Sequence, residues 1–252
     1  MTSRTELVRY LDVLLDAASG RDYGPNGLQV EGTAEVKKVV TGVSACLELF
    51  ERARAAGADA ILVHHGLFWD GTPRVLTGMQ GKRVRELILG NLNLIAYHLP
   101  LDRHPELGNN ALGAKALGLY GVEPFGLHEG SSVGVKGFFP EPISPTELVE
   151  RCQKTYDREP LAFLGGPNPV RTVGLISGGA QREVYQAIDA GLDAYITGEV
   201  SEWVMNVARE SGIHYLSAGH YATERLGIRA LGEHVATRFQ IEHEFIDVPN
   251  PV

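Results

Sequence analysis

Two residue pairs in this 252-residue chain have the types and spacing of metal ligands. His98 and Asp102 lie four positions apart in HLPLD, and His220 and Glu224 lie four apart in HYATE. A third element, the adjacent His64 and His65 of ILVHHG, ends an apolar run, and each pair also follows one. Four imidazoles and two carboxylates suit a hard or borderline divalent ion. Six donors exceed the needs of one closed tetrahedral site. The set therefore points to two metals, or to one metal with catalytic groups beside it. A lone histidine at a strand end is ordinarily just hydrogen-bonded; recurrence of the pattern at several strand ends argues for ligands.

The three elements constrain geometry differently. Adjacent strand residues face opposite ways, so His64 and His65 share a site only if the strand stops there. Gly66 permits that turn, and two closely spaced metals could also take one histidine each. If a helix starts near Gly219, His220 and Glu224 fall on one face at i and i+4. Pro100 lies between His98 and Asp102, so a non-helical arrangement is expected for that pair.

The elements that must position these residues alternate between short apolar strands and amphipathic helices. KKVVTGVSA, DAILVHH and LNLIAYH read as strands. LELFERARAAGA and KRVRELILGN read as helices, and NNALGAKALGL as another with Asn109 at its N-cap. Residues 121–145 are rich in Gly, Pro and Ser, which suggests a boundary followed by a short strand or hairpin. PTELVERCQKTY is a helix opened by Ser144 or Thr146. Strand and helix then alternate again through RTVGLISGGA, REVYQAIDAGL, DAYITGE, SEWVMNVARESG and IHYLSAGH.

The alternation repeats. AGADAILVHHG (56–66) aligns without a gap with AGLDAYITGEV (190–200), and the next strand of each half ends at His98 or His220. The expected fold class is α/β: two similar α/β domains from an internal duplication, with mainly parallel sheets. The first domain would be 1–123 plus 218–252 and the second 124–217. Right-handed crossovers would bring the strand C-termini, and so the ligands, to one sheet edge. Glu199 occupies the place that His65 holds in the first copy; it is a base, an acceptor behind a ligand, or a helix cap. SGGAQRE (177–183) and Ser44 sit in strand-to-helix turns that serve tight packing or a phosphate. Phe68 and Trp69 line a pocket mouth or pack in an interface. His104, His128, His214, His234 and His243 read as structural.

Composition excludes several classes. Net charge is −8 and no Lys/Arg run exceeds two residues, so no basic footprint for nucleic acid exists. The two cysteines, Cys46 and Cys152, form no CxxC, which argues against a disulfide framework or a thiolate zinc site. No GxSxG is present. The N-terminal stretch reads as an amphipathic helix, not a signal peptide, and no apolar run approaches the roughly 18 residues of a membrane span. A cytoplasmic protein with no membrane partner is expected.

YGPNGLQVEG (23–32), TGVSA (41–45), GADAILVHHGLFW (57–69), YHLPLD with GNN downstream (97–110), TGE (197–199) and SAGHYATE (217–224) together resemble the GTP cyclohydrolase 1 type 2 homologue family, also called NIF-three-like. The match runs over essentially the whole chain and is closest to the short bacterial form. The resemblance implies two similar α/β domains, a toroidal homohexamer, and a site for two divalent metal ions in the inter-domain cleft. The metal ligands it implies are His64, His65, Asp102, His220 and Glu224, with His98 beside the metals. Zinc, iron, manganese, cobalt and nickel suit such N/O donors about equally. The family name implies opening of the guanine imidazole ring of GTP by a metal-bound water, and the same site would suit phosphoester hydrolysis of a nucleotide-like substrate. His98 is the candidate for proton transfer or substrate orientation, and Glu199 a second one. The alternatives are a non-catalytic metal-binding scaffold or regulatory protein, and a ring that threads a polymer.

Overall fold

The computed structural model describes residues 1–73 and 75–252; Arg74 lies outside the described residues. The chain divides into two compact units. One comprises residues 1–101 and 228–248, the other 102–227 and 249–252.

In chain order the first stretch contains β1 (Thr2–Ser3), α1 (Arg4–Leu14), β2 (Gly27–Val30), β3 (Glu35–Val36), β4 (Lys38–Ser44), α2 (Leu47–Ala55), β5 (Ala60–His65), α3 (Gly78–Leu89) and β6 (Asn93–Ala96). The chain then makes one helical turn, α4 (Leu99–Asp102), and continues through α5 (Asn109–Leu117), β7 (Tyr120–His128), β8 (Ser131–Ile143), α6 (Pro145–Tyr156), β9 (Leu161–Leu164), β10 (Val170–Ile176), α7 (Val184–Asp189), β11 (Ala194–Thr197), α8 (Val204–Ser211) and β12 (His214–Ser217). It ends with the long α9 (His220–Phe239) and β13 (Glu242–Phe245).

The first unit has a five-stranded sheet in the order β13-β4-β5-β6-β2. Its strands run parallel except β2, which pairs antiparallel with β6. Central β5 reads AILV before its histidines and is buried on both faces, and such a strand can be apolar throughout. Val40, Ile61, Val63 and Leu94 pack with Leu49 and Phe50 of α2 and Leu87 of α3. Gly57, at φ +72, makes the left-handed turn from α2 into this strand.

The second unit has a six-stranded sheet, β7-β8-β10-β11-β12-β9. Strands β10, β11 and β12 are parallel, and the antiparallel β7, β8 and β9 flank them. Val173, Leu175, Ile196 and Leu216 form its core with Leu148, Cys152 and Tyr156 of α6. Of the two candidate caps for α6, Ser144 is the one used; it accepts the Glu147 N–H at 3.1 Å.

The α/β class therefore stands, with parallel strands at the centre of each sheet. The Gly/Pro-rich stretch is a long hairpin, not a short one, and it starts at Tyr120. The expected cut at 123/124 would fall inside β7, and the division lies instead at 101/102, because Ala114 and Leu117 of α5 pack in the second unit's core. The return falls at 227/228, within α9, not at 217/218. Among the described residues no helix is long and apolar enough to cross a membrane.

Candidate metal centre

In the first unit, β5 ends at His65, as the adjacent histidines require. The turn after it is held by Gln29, whose amide oxygen accepts the Leu67 N–H at 2.7 Å. A Cβ on Gly66 would press on the Gln29 amide, the movable end of a side chain. His64 is buried, and its Nδ1–H donates to the Tyr97 carbonyl at 3.1 Å, which makes Nε2 the lone-pair nitrogen. His65 Nδ1 pairs with Ser44 Oγ at 3.0 Å. Ser44 thus orients a histidine and is taken up by that contact.

His98 follows β6, and its Nδ1–H donates to Asp22 at 2.6 Å. Asp22 also accepts the Leu99 N–H at 3.0 Å and the Asn26 amide at 2.9 Å, while Asn26 accepts the His98 N–H at 2.9 Å. Burial pushes the Asp22 carboxyl up, but the hydrogen bond and charge of His98, with Asn26 and the Tyr23 N–H, overcome it and hold the carboxyl at about 2. The result is three imidazoles, His64, His65 and His98, each offering a ring nitrogen within 4.8 Å of the other two.

One expectation is corrected here. His98 and Asp102 do sit about a helical turn, α4, with the Leu101 N–H donating to the His98 carbonyl at 2.9 Å. Pro100 is no obstacle because it stands in the first turn, where its missing N–H has no intrahelical partner to lose. Asn109 is likewise not an N-cap. Gly108 is, and Asn109 is the first helical residue, its side chain engaged elsewhere.

In the second unit, Asp102 accepts from the Asn109 amide at 2.8 Å and the Ser177 hydroxyl at 2.9 Å. The Asn109 side-chain oxygen Oδ1 accepts the Gly227 N–H of α9 at 2.7 Å, and the Asn110 side chain bridges the Asp102 and Val133 carbonyls and the Ser177 N–H. A carboxylate oxygen of Asp102 lies within 4.8 Å of one of Glu224. Helix α9 begins at His220, so His220 and Glu224 share a face, with Nε2 and Oε1 3.2 Å apart. On its other side His220 Nδ1 meets Glu199 Oε1 at 2.7 Å. Burial pushes the His220 imidazolium pKa down, but Glu224 and then Glu199 raise it to about 9.

The Gly-rich turn after β10 serves this packing. Gly178 stands at φ +69, and a Cβ on it would meet Glu224 Oε1 at 2.3 Å. Its N–H donates to Thr223 at 3.0 Å, and Thr223 donates in turn to the Gly219 and His220 carbonyls. This is the tight-packing reading of SGGAQRE.

The sequence-derived candidates fall into two sets: His64, His65 and His98 in the first unit, and Asp102, His220, Glu224 and Glu199 in the second. Asp22 went unread, and Asn26, Asn110 and Ser177 stood inside the quoted YGPNGLQVEG, GNN and SGGAQRE with no role assigned to them. The signal for Asp22 and Asn26 was a polar Asp-x-x-x-Asn running into YGPNG, in the loop before β2. Their roles depend on which strand end the loop reaches, and the sequence does not state that. Four further histidines serve structure: His104 accepts the Leu107 N–H at 3.0 Å, His214 bonds the Pro167 carbonyl at 2.7 Å, His234 the Tyr10 hydroxyl at 2.6 Å, and His243 the Thr41 hydroxyl at 2.8 Å.

These clusters could hold metal ions. The donors are nitrogen and carboxylate oxygen without sulfur. Several ligand rings are also fixed from behind by a carbonyl, hydroxyl or carboxylate, the support that metal-binding imidazoles ordinarily have.

A family model described as Duf34/NIF3 (NGG1p interacting factor 3) matches residues 2–251. A Pseudomonas aeruginosa protein named GTP cyclohydrolase 1 type 2 homolog is 46% identical over 245 residues, 97% of each chain. One of the same name from Escherichia coli strain K12 is 44% identical over 252 residues, 98% of each. Among solved structures, protein ybgI, described as of unknown function, superposes with a TM-score of 0.94 at 43% identity over all of both chains. TTHA1606 from Thermus thermophilus gives 0.90 at 37% identity, again over all of both chains.

Proposed function

The chain belongs to the Duf34/NIF3 (NGG1p interacting factor 3) family, and from that premise we propose that it is a metal-dependent hydrolase of nucleotide-like substrates. In this reading the two donor sets hold two divalent ions through His64, His65, Asp102, His220 and Glu224. The observation that carries it is His220, bracketed by Glu199 at 2.7 Å and Glu224 at 3.2 Å. A carboxylate behind an imidazole with a second carboxylate in front of it is the form of a metal ligand and its support.

Bound divalent ions would supply Lewis acidity and an activated water at neutral pH. The chain's residues do the rest. Glu199 fixes the His220 ring and is a positioning residue in this reading, not the base. Asp22 holds the proton on His98 Nδ1, which leaves Nε2 to accept one from the reacting water or to orient the substrate. The substrate class follows from the relatives' name, and it leaves two chemistries: opening of a guanine imidazole ring with release of formate, or phosphoester hydrolysis. The working form is a toroidal homohexamer in the cytoplasm.

The test is turnover. Metal-loaded protein is assayed against a panel of nucleotides and phosphoesters, with formate and phosphate release followed separately. Release of either product, lost in His220→Ala/Glu224→Ala protein of unchanged melting profile, supports the reading. A fully metal-loaded preparation inert across the panel overturns it in favour of a non-catalytic metal-binding scaffold.

A further inference from the structure

Trp69 and Phe68 follow the His64-His65 turn, and the proposed ligands account for neither. The indole is fixed. Its Nε1–H donates to the Gly66 carbonyl at 3.1 Å, the Trp69 carbonyl accepts the Thr72 hydroxyl at 2.7 Å, and the next N–H, of Asp70, donates to the Tyr23 carbonyl at 2.7 Å. The loop before β2 lies directly against this segment, since a Cβ on Gly24 would come within 2.3 Å of the Phe68 carbonyl oxygen. The Trp69 ring meets His98 edge-on at 5.1 Å and 83°, and its centroid is 5.7 Å from that of His65. One aromatic residue therefore touches two of the three clustered imidazoles.

Trp69 also lines a pocket of about 440 Å³ within the first unit, together with Pro25, Phe68, Asp70, Leu76 and Gln80. That volume falls within the range of small-molecule sites. Its walls are aromatic and aliphatic. Among the described residues its polar side chains offer acceptors: Asp70 brings a carboxylate, the Thr72 hydroxyl proton is spent on the Trp69 carbonyl, and the Gln80 amide nitrogen on the Leu67 carbonyl at 3.2 Å. The Gln80 amide oxygen is thereby left buried without a hydrogen-bond partner among the described residues. A buried acceptor without a donor calls for one from a ligand.

We propose that this pocket is a subsite for a planar heteroaromatic ring bearing N–H donors, an aminated purine being the fitting class. The proposal rests on the nucleotide reading above and deepens it. The ring stacks on Phe68 and Trp69, and its N–H groups satisfy Asp70 and Gln80. Trp69 lies against both the ring and the imidazoles, so the ring's substituent is what reaches the histidines. A carboxylate at this end and imidazoles at the other orient an anionic substituent toward the latter.

The chain has two tryptophans, so Trp203→Phe leaves Trp69 as the sole indole reporter. This protein is titrated with AMP and GMP, with purine riboside 5′-monophosphate, which lacks the amine, and with ribose 5-phosphate, in metal-loaded form and again under chelator. Saturable quenching by AMP or GMP is expected in both forms, roughly tenfold weaker for purine riboside monophosphate and absent for ribose 5-phosphate. Phe68→Ala should weaken binding roughly 5- to 150-fold. Phe68→Leu, which keeps bulk without the ring, should do nearly the same, and its melting profile guards against misfolding. Absence of saturable quenching at millimolar nucleotide in folded, metal-loaded protein overturns the subsite. So does quenching that vanishes under chelator, since the ligand would then be binding metal and not the pocket. Failure of the hydrolase reading would instead leave quenching intact with no product formed.

Discussion

The two donor sets are built on opposite principles. The first is all imidazole, and its rings are held by a carbonyl behind His64, a hydroxyl beside His65 and a carboxylate behind His98. The second is mostly carboxylate, and its one imidazole lies between two carboxylates that raise its pKa to about 9. The first set comes from strand ends and a loop, the second chiefly from a helix start backed by Gly-rich turns. The difference shows how one chain can offer borderline nitrogen and hard oxygen donors together. It also shows where each set is brittle: the first at its orienting hydrogen bonds, the second at close backbone packing and charge.

That contrast can be broken most severely at the glycines. Gly178→Ala sets a Cβ against the buried Glu224 carboxylate at a left-handed φ, and should cost about 1–3 kcal/mol and most of the bound metal. Gly66→Ala meets only the end of the Gln29 side chain, which can move. It should lower the melting temperature less and spare more metal. Equal effects in thermal unfolding and metal analysis would remove the distinction.

Next in size are the groups behind the ligands. Glu199→Gln should weaken metal binding by about 10–100-fold in competition titrations, because it removes the charge that fixes His220. Ser44→Ala removes only a neutral hydroxyl from His65 and should fall at or below the bottom of that range.

The sets should also differ in pH dependence. Without metal, His220 titrates at about 9, above its ordinary 6.5, so its stabilising contribution is complete below 6.5 and lost as pH rises through about 9. A metal must displace that proton. Affinity should therefore climb by up to about tenfold per pH unit between 7 and 9 and flatten above. Calorimetry in buffers of different ionisation enthalpy should find a proton released below pH 9, and Glu199→Gln should shift that release to lower pH.

The smallest effect belongs to Asp22. Its folded value of about 2 lies below the ordinary 3.8, so it stabilises the fold above 3.8 and that contribution disappears as pH falls through about 2. Asp22→Asn should cost on the order of 1–2 kcal/mol in urea unfolding at neutral pH, and the gap to wild type should close near pH 2.

How far the sequence carried is clearest at single residues. Apolar patterning located β4, β5, β6, β10, β11 and β12, because it reports burial directly, whereas β2 and β9 went unread. The i, i+4 clamp of His220 and Glu224 followed from helix geometry alone. Pro100 misled, since the rule that proline breaks helices holds for interiors and this turn has only a beginning. Asn109 misled in the same manner: its residue type favours a cap, but the buried Asp102 and Gly227 claimed its side chain. Asp22 was invisible because its partner is far along the chain, and a loop's destination is a tertiary fact. The cut at 101/102 was missed because composition shifts at the Gly/Pro-rich hairpin, whereas packing changes hands one helix earlier.

The central claim is that the imidazole set and the carboxylate set together hold two divalent ions per chain. The direct measurement is metal content by plasma emission on protein reconstituted with zinc, manganese or iron and passed through a desalting column. Two equivalents are expected for wild type, with a loss of at least one in His64→Ala/His65→Ala protein and in His220→Ala/Glu224→Ala protein. No retained metal in the wild type, or a content unchanged by either substitution pair in folded protein, would contradict it.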